Sequence, residues 1–156
     1  MITLLKQNQR QAIIKLLTST EMFNQKEIDI AMEVTDVYLN NPDQKDYNYF
    51  VYEENGSVLG FICYGACPVS YNVYDLYWMA VHKEAQGKGI GSKMLTFAEE
   101  NLKKEKARMM VAETSSQPIY EPTRQFYMKR GYKLEAQVKG FYKPDDDKMI
   151  FVKRFA

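Results

Sequence analysis

The sequence predicts an α/β fold in which about four helices flank a mixed β-sheet. Seven runs of β-forming residues bounded by turn residues are candidate strands, at residues 2–6, 49–52, 58–64, 74–81, 109–113, 132–142 and 149–155. Asn55-Gly56 predicts an antiparallel hairpin between the second and third runs. The helical pattern at 90–104 between the fourth and fifth runs predicts a parallel pair with a right-handed crossover. With 156 residues, the chain is expected to form one layered domain.

Two early helices are predicted by their N-terminal signals. In a capping box, the side chain of the N-cap residue bonds the backbone N–H three residues later, and a Glu or Gln there bonds back. Asn8 with Gln11 and Asn24 with Glu27 have this spacing. A helix is therefore expected after each pair, and the second should end before Pro42.

Later elements are predicted by side-chain pattern. The helix at 90–104 would turn Ile90, Met94, Leu95, Ala98 and Leu102 inward and Lys93, Glu99, Glu100, Lys103 and Lys104 outward. A last helix from about Pro118 would stop at Gly131, which suits a left-handed cap. The strand at 74–81 is apolar on both faces except at Asp75, which predicts the centre of the sheet.

Composition argues against several classes of function. The 21 basic and 20 acidic residues give a net charge of +1, which predicts no broad surface for nucleic acid. The apolar runs are too short to span a membrane and no signal-peptide core is visible, so we expect a soluble cytoplasmic protein. Cys63 and Cys67 are expected to be buried free thiols, His82 an exposed loop residue and 145–147 a solvated turn, with no metal site.

Residues 86–91, Gln-Gly-Lys-Gly-Ile-Gly, lie between a predicted strand and a predicted helix. The first N–H groups of a helix have no intrahelical acceptor and lie at the positive end of its dipole, so they bind anions. Glycines permit positive φ and close approach, and Gln86 and Lys88 could add side-chain donors. This glycine loop is interpreted as a site for a phosphate-bearing cofactor, although an exposed loop without a ligand would also use glycines.

Two nucleotide motifs compete for the same residues. A Walker loop fails because neither possible first glycine is followed by Gly-Lys-Ser or Gly-Lys-Thr at the required spacing. A dinucleotide fingerprint is met in part by Gly87-Lys88-Gly89, by Ser92 and by the acidic residue Glu113. However, residues 82–85 separate the strand from the loop, whereas the fingerprint begins directly after its strand.

Three segments in a fixed order carry a family resemblance: the strand at 75–81, the glycine loop and residues 126–132. In the loop, Gln86, Gly89 and Gly91 match a phosphate motif of Gln or Arg, two residues, Gly, any residue, then Gly or Ala. In the last segment, an aromatic pair is followed by a glycine and another aromatic residue. Together these segments resemble the GCN5-related N-acetyltransferase (GNAT) superfamily.

The resemblance implies transfer of an acetyl group from acetyl-CoA to an amine, without a metal. It further implies that the central strand splays from the next parallel strand, and that backbone groups near Val81 pair with pantetheine and supply an oxyanion site. The implied acetyl-CoA-binding residues are Met79, Ala80, Val81, Gln86, Gly87, Lys88, Gly89, Ile90, Gly91, Ser92, Tyr120 and Thr123. Tyr120 and Thr123 depart from the Asn and Ala that many members carry there.

Two carboxylates are candidates for the general base. Asp75 aligns with the glutamate base of histone-modifying members, and regular strand alternation would place it on the same face as Tyr77, Met79 and Val81. Glu113 on the neighbouring strand is the competing base, acting directly or through water. An alkyl amine is mostly protonated at neutral pH, so a base is needed. The structural alternative is that Asp75 only caps or pairs at the start of its strand.

Tyr127 occupies the family position of the general acid that protonates the departing thiolate. The alternative is that it only packs, because Tyr120, Thr123 and Tyr127 share a helical face. Six further tyrosines could form an aromatic cleft for a cationic amine, or could be ordinary strand aromatics: Tyr47, Tyr49, Tyr64, Tyr71, Tyr74 and Tyr77.

The sequence therefore favours an acetyl-CoA-dependent N-acetyltransferase whose partners are acetyl-CoA and an unidentified amine, acting as a monomer or homodimer. A noncatalytic acyl-CoA-binding module would use the same glycine loop. A dinucleotide-binding oxidoreductase is the less favoured alternative.

Overall fold

The computed structural model describes residues 1–155, in which one sheet is flanked by α-helices. In chain order the elements are β1 (Ile2–Leu4), α1 (Arg10–Ser19), α2 (Gln25–Asn40), β2 (Asn48–Glu54), β3 (Ser57–Ala66), β4 (Val73–Val81), α3 (Ile90–Lys104), β5 (Met109–Ser115), α4 (Glu121–Lys129), β6 (Lys133–Lys143) and β7 (Asp146–Arg154). Short 3₁₀ turns precede α1, α3 and α4. The predicted α/β class and the number of helices are confirmed.

The sheet has the strand order β1-β2-β3-β4-β5-β7-β6. β4 and β5 pair in parallel, as the α3 crossover predicts, and the other neighbouring strands pair antiparallel. The central place predicted for β4 is confirmed. β7 lies between β5 and β6, so the C-terminal hairpin extends the sheet beyond β5.

The parallel pair separates after four residues. Val73–Leu76 of β4 pairs with Met109–Ala112 of β5, and no later pair joins the two strands. From Trp78 to Val81, β4 pairs with β3, while Glu113 to Ser115 of β5 pairs with β7. A gap therefore opens between β4 and β5 toward their carboxyl ends, and the splayed pair implied by the family resemblance is present.

Each face of the sheet has its own hydrophobic core. The five residues of α3 predicted to face inward are buried, in a core that also includes Met110, Tyr127, Tyr132 and Phe151. α1 and α2 cover the other face, where Ile13, Leu16, Leu17, Val51, Phe61 and Cys63 are buried. The gap between β4 and β5 thus lies between two packed layers.

β4 contains a β-bulge at Tyr77. Cys63 and Tyr64 are consecutive in β3, yet they pair with Trp78 and Leu76, so Tyr77 has no partner. Gly65 allows both the Asp46 backbone and the Tyr77 ring to approach, because a Cβ at Gly65 would meet the Asp46 carbonyl oxygen first and would lie 2.9 Å from Tyr77 Cε2. An extra residue in a strand inverts the alternation of the side chains that follow it.

The bulge decides which side chains of β4 share a face. Those packed in the α3–α4 core are Tyr74, Leu76, Met79 and Val81, whereas those in the α1–α2 core are Trp78 and Ala80. Asp75 therefore lies on the α1–α2 side of the sheet. The prediction that Asp75 shares a face with Met79 and Val81 is wrong, because regular alternation does not continue through Tyr77.

The local signals had mixed outcomes. Asn24 and Glu27 form the predicted capping box at the start of α2. The box predicted at Asn8 and Gln11 does not form, because a 3₁₀ turn occupies residues 7–9 and the Lys6 N–H donates to Gln9 Oε1. The hairpin turn is confirmed, with φ values of 51° at Asn55 and 78° at Gly56.

Two acidic residues predicted to face solvent are buried instead. Glu99 accepts hydrogen bonds from the Tyr132 hydroxyl and the Lys153 ammonium, both at 2.8 Å. Asp146 starts β7, which the sequence placed at 149, and accepts a hydrogen bond from the Ser115 hydroxyl. Helical and turn patterns assign such residues to solvent because they carry no information about distant partners.

Candidate active site

The glycine loop leads into the N-terminus of α3. Gly89 is the N-cap residue, with a φ of 81°, and Gly87 has a φ of 78°. A Cβ added at either glycine would meet no atom within 4 Å, so the loop needs glycine for its backbone conformation and its outer side is open. No side chain caps the first turn of α3. The N–H groups there suit an anion from outside the helix.

In and next to the glycine loop, the side chain of Gln86 has a hydrogen-bond partner and that of Ser92 does not. The Gln86 amide donates to the Val81 carbonyl at 3.1 Å, so it ties the loop to the end of β4. The Ser92 hydroxyl, in the first turn of α3, is the only buried side-chain polar atom among residues 1–155 that lacks a hydrogen-bond partner. A buried donor without a partner is costly, and a ligand oxygen would satisfy it. The loop therefore fits a phosphate-bearing group.

The face of the gap next to the loop is formed by α3, α4 and the end of β4. A Cβ at Gly91 would lie 3.5 Å from the Phe126 ring and 3.8 Å from Val81 Cγ2. The Met79 and Val81 side chains pack on this face, whereas Ala80 and Ile90 are buried and leave only their backbone groups for a ligand. These residues line the side of the gap on which the glycine loop lies.

Asp75 and Glu113 line one cavity of about 300 Å³, together with Leu76, Tyr77, Val111 and Tyr142. The cavity lies where β4 and β5 separate, on the α1–α2 side. Burial first, and then the negative charge of Glu113, raise the pKa of Asp75, while Lys148 opposes the rise. Two carboxylates in a small cavity favour a cationic ligand.

Lys148 and Tyr142 are site residues that the sequence did not single out. Lys148 Nζ lies 3.0 Å from Glu113 Oε2. Tyr142 lines the cavity, and burial followed by nearby carboxylates raises its pKa. Both belong to the β6–β7 hairpin, whose place beside β5 does not follow from local sequence pattern.

Tyr127 lies on α4 and is buried against Tyr132 and Phe151, with ring centroids 5.5 and 6.0 Å away. Burial raises the pKa of its phenol, so Tyr127 keeps its proton at neutral pH. A group that donates a proton at neutral pH must carry that proton beforehand. The alternative role of Tyr127, packing, is also observed, since its ring lies against those of Tyr132 and Phe151.

Tyr120 and Thr123 lie at the start of α4, and both are half-buried. The Tyr120 hydroxyl donates to the Met22 carbonyl at 3.4 Å, which links this region to the segment between α1 and α2. Burial, with Glu27 next, raises the pKa of Tyr120.

The predicted aromatic cleft is reduced to Tyr77 and Tyr47, whose rings lie 5.5 Å apart. Tyr49 and Tyr64 are fully packed in the two cores, and Tyr71 is largely exposed. The alternative, that most of these tyrosines are ordinary strand aromatics, describes them better. Burial first, and then the charge of Asp75, raise the pKa of Tyr77 to about 12.

Other regions offer less chemistry. A depression of about 730 Å³ lies between α1 and the β2–β3 hairpin, but of the glycine loop it includes only Lys88, and neither candidate base lines it. Cys63 is buried and Cys67 half-buried, both as free thiols, and His82 is half-buried and accepts from the Glu84 N–H. Within residues 1–155, no three His, Cys, Asp or Glu residues cluster as metal ligands, and no helix is long and apolar enough to cross a membrane.

Comparisons with known proteins agree with this geometry. The chain is similar to an acetyltransferase of the GNAT family from Desulfovibrio desulfuricans, with 31% identity, a TM-score of 0.93 and full coverage of both chains. An N-acetyltransferase from Staphylococcus aureus Mu50 has the same fold, with 24% identity and a TM-score of 0.75 over 99% of this chain and 97% of that one.

A further solved structure with this fold is the PaiA N-acetyltransferase from Thermoplasma acidophilum in complex with coenzyme A, with 19% identity and a TM-score of 0.73 over 99% of this chain and 98% of that one. No curated protein matches the chain. The family model of the acetyltransferase (GNAT) domain matches residues 45–134, more than half of the chain. The chain therefore belongs to the GNAT acetyltransferase family.

Proposed function

We propose that this protein transfers an acetyl group from acetyl-CoA to a primary amine, as a single domain. The observation that carries the proposal is the gap between β4 and β5. The glycine loop and the first turn of α3 lie at its α3–α4 side, and the cavity with Asp75 and Glu113 lies at its α1–α2 side. A cofactor and an amine can therefore approach the same gap from opposite faces of the sheet.

The residues proposed to hold acetyl-CoA are those of the loop and of its neighbours. The N–H groups of residues 87–92 and the Ser92 hydroxyl would bind the diphosphate. The backbone of Met79, Ala80 and Val81 would pair with pantetheine, since β4 has no β5 partner there. Tyr120 and Thr123 would line the opposite wall. The bound thioester supplies an activated acetyl group.

The chain's own groups would manage protons and charge. A carboxylate oxygen of Asp75 or Glu113 would take the proton from the ammonium form of the acceptor, because a protonated amine has no lone pair for attack. Backbone N–H groups near Val81 would stabilise negative charge that develops on a carbonyl oxygen. The Tyr127 hydroxyl would give its proton to the leaving sulfur, whose ordinary pKa is about 8.5.

The charge of the cavity supports an amine as acceptor. Asp75 and Glu113 outnumber Lys148, and the Tyr77 ring lies beside them. A cation gains from the carboxylates and from contact with aromatic rings. A volume of about 300 Å³ suits a small amine or the end of a longer chain.

Turnover is the test. Acetyl-CoA is mixed with propylamine, 1,4-diaminobutane, lysine or an alanine-terminated peptide, and released thiol is measured. At least one amine should release thiol faster than buffer alone. The double variant Asp75→Asn, Tyr127→Phe should lose this release and retain CoA affinity by calorimetry. Asp43→Asn, an exposed aspartate outside both cavities, is the matched control and should behave as wild type.

The alternatives predict different outcomes. A noncatalytic acyl-CoA-binding module would bind CoA but release no thiol with any amine. A dinucleotide-binding oxidoreductase would be stabilised by NAD or NADP rather than by CoA, which a thermal-shift comparison measures directly. A melting temperature raised only by the dinucleotide would refute the acetyltransferase proposal.

A further inference from the structure

The two carboxylates of the cavity have different neighbours. Glu113 forms an ion pair with Lys148, with 3.0 Å between Oε2 and Nζ. Within residues 1–155, no basic group lies within ion-pair distance of Asp75, which is half-buried at the inner end of the β4–β5 pair. Glu113 is therefore engaged by a cation in the resting protein, and Asp75 is not.

Lys148 is held in a defined place. It lies on β7, opposite Ser115 of β5 and Val138 of β6. Its side chain is only 18% exposed, and its ammonium lies 4.2 Å from the centroid of the Phe141 ring. The Lys148 ammonium therefore has two partners besides water, the Glu113 carboxylate and the face of the Phe141 ring.

Four strands of the sheet place titratable side chains near Asp75. β5 contributes Glu113, β7 contributes Lys148, β6 contributes Tyr142 and β4 itself contributes Tyr77, while β3 places the uncharged Gly65 opposite Asp75. Besides Asp75 itself, the titratable groups near Tyr77 are Tyr47, Cys63 and Cys67. Glu113 and Lys148 are the charges that act on Asp75, in opposite directions. Lys148 therefore acts on both carboxylates at once.

We propose that Lys148 is a positioning residue: it holds Glu113 in an ion pair and so leaves Asp75 as the carboxylate that takes the proton from the acceptor amine. The inference rests on the proposed function. In this step the ammonium gives one proton to an Asp75 carboxylate oxygen, which yields a neutral amine and a carboxylic acid. When two carboxylates have unlike environments, the environments assign their roles. Lys148 gives the two carboxylates unlike environments, because it forms an ion pair with Glu113 and not with Asp75.

The first experiment needs no substrate. Asp75 in the free protein is titrated by NMR with ¹³C-labelled aspartate side chains, and its signal is assigned by its loss in Asp75→Asn. In Lys148→Met the midpoint of Asp75 should move to higher pH, because an opposing positive charge is lost and Glu113 is no longer neutralised. Lys148→Arg should restore the wild-type midpoint. An unchanged midpoint in a folded Lys148→Met protein would refute the role of Lys148.

The second experiment measures turnover against pH, with acetyl-CoA and the amine that releases most thiol. The acid limb of kcat/KM should move to higher pH in Lys148→Met and return in Lys148→Arg, and a limb that lies about one pH unit higher means a rate about tenfold lower at any pH on that limb. Glu113→Gln should move the limb to lower pH and Asp75→Asn should remove turnover. Loss of turnover in Glu113→Gln with its retention in Asp75→Asn would assign the base to Glu113 and overturn the inference.

The two failures are distinguishable. If the wild-type protein releases no thiol with any amine, the proposed function fails, and the NMR titration still measures how Lys148 acts on Asp75. If turnover is present and Lys148→Met has the wild-type pH profile, only the role of Lys148 fails. Circular dichroism and a melting curve establish that Lys148→Met is folded.

Discussion

Tyr127 combines an observed packing role with a proposed chemical one at a single residue. Its ring belongs to the α3–α4 core, and burial raises the pKa of its phenol. The neighbouring Tyr132 is also buried, but its hydroxyl is committed to Glu99 at 2.8 Å. The two tyrosines therefore differ in whether the hydroxyl is used for structure, although both rings pack in the same core.

Tyr127→Phe separates the two roles because it keeps the ring and removes the proton. We expect kcat to fall on the order of a hundredfold, as for loss of a general acid, with CoA affinity and melting temperature nearly unchanged. Tyr132→Phe is the matched control, which should leave kcat near wild type and lower the free energy of unfolding by about 1.5 kcal/mol, since a hydrogen bond to a carboxylate is lost. Steady-state kinetics measures kcat, and urea unfolding measures the free energy of unfolding, for both variants. If Tyr127→Phe retained the wild-type kcat, the general-acid role would be refuted and Tyr127 would have a packing role only.

The glycine loop is the element whose role the sequence predicted most directly. Gly87 and Gly89 have positive φ, and the space around their Cβ positions is free. Gly56 in the β2–β3 turn has the same properties, with a φ of 78° and no atom within 4 Å of the position that a Cβ would take. Gly56 is therefore a control for backbone strain that does not touch the loop.

Gly89→Glu should weaken CoA binding at least about tenfold, because it adds bulk and negative charge at the positive end of the α3 dipole. Gly56→Glu should bind CoA as wild type does. Both variants place a side chain at positive φ and should lose a similar stability, roughly 1 kcal/mol. Calorimetry and thermal unfolding measure the two effects. Equal CoA affinity in Gly89→Glu and wild type would place the diphosphate elsewhere.

Elements with local signals were predictable, whereas the bulge in β4 involves residues of another strand. The Asn24–Glu27 capping box, the Asn55-Gly56 turn and the apolar face of α3 depend on residues close in sequence. The bulge at Tyr77 is a register shift against Cys63 and Tyr64 of β3, which the pattern of β4 does not contain. Asp75 was identified as a candidate base from sequence, but its face of the sheet was not.

At the scale of the whole molecule, the site depends on how the C-terminal hairpin joins the sheet. β7 inserts between β5 and β6, which brings Lys148 to Glu113 and Tyr142 into the cavity. These are contacts between residues about thirty positions or more apart, so a single sequence gives no periodic signal for them. The burial of Asp146 also depends on this strand order, because the Ser115 hydroxyl can donate to Asp146 only when β7 lies beside β5.

Glu99 links the hairpin to the helical layer. It lies on α3, Lys153 lies on β7 and Tyr132 directly precedes β6. The side chains of Glu99 and Lys153 are only 8% and 26% exposed. Because removal of one member leaves the other charged and poorly solvated, a buried ion pair is costly to break from one side.

Glu99→Ala and Lys153→Met are each expected to lower the free energy of unfolding by roughly 2–3 kcal/mol, somewhat less than for a fully buried pair since Lys153 retains some contact with water. The double variant should lose less than the sum of the two, because no unpaired charge remains. Lys103→Met with Glu100→Ala is the matched pair on the exposed face of the same helix, with 3.3 Å between Nζ and Oε1, and should cost below about 0.5 kcal/mol. Urea unfolding of all variants measures the coupling. Additive losses at Glu99 and Lys153 would mean that the two side chains stabilise the fold independently, and that their ion pair does not couple the hairpin to α3.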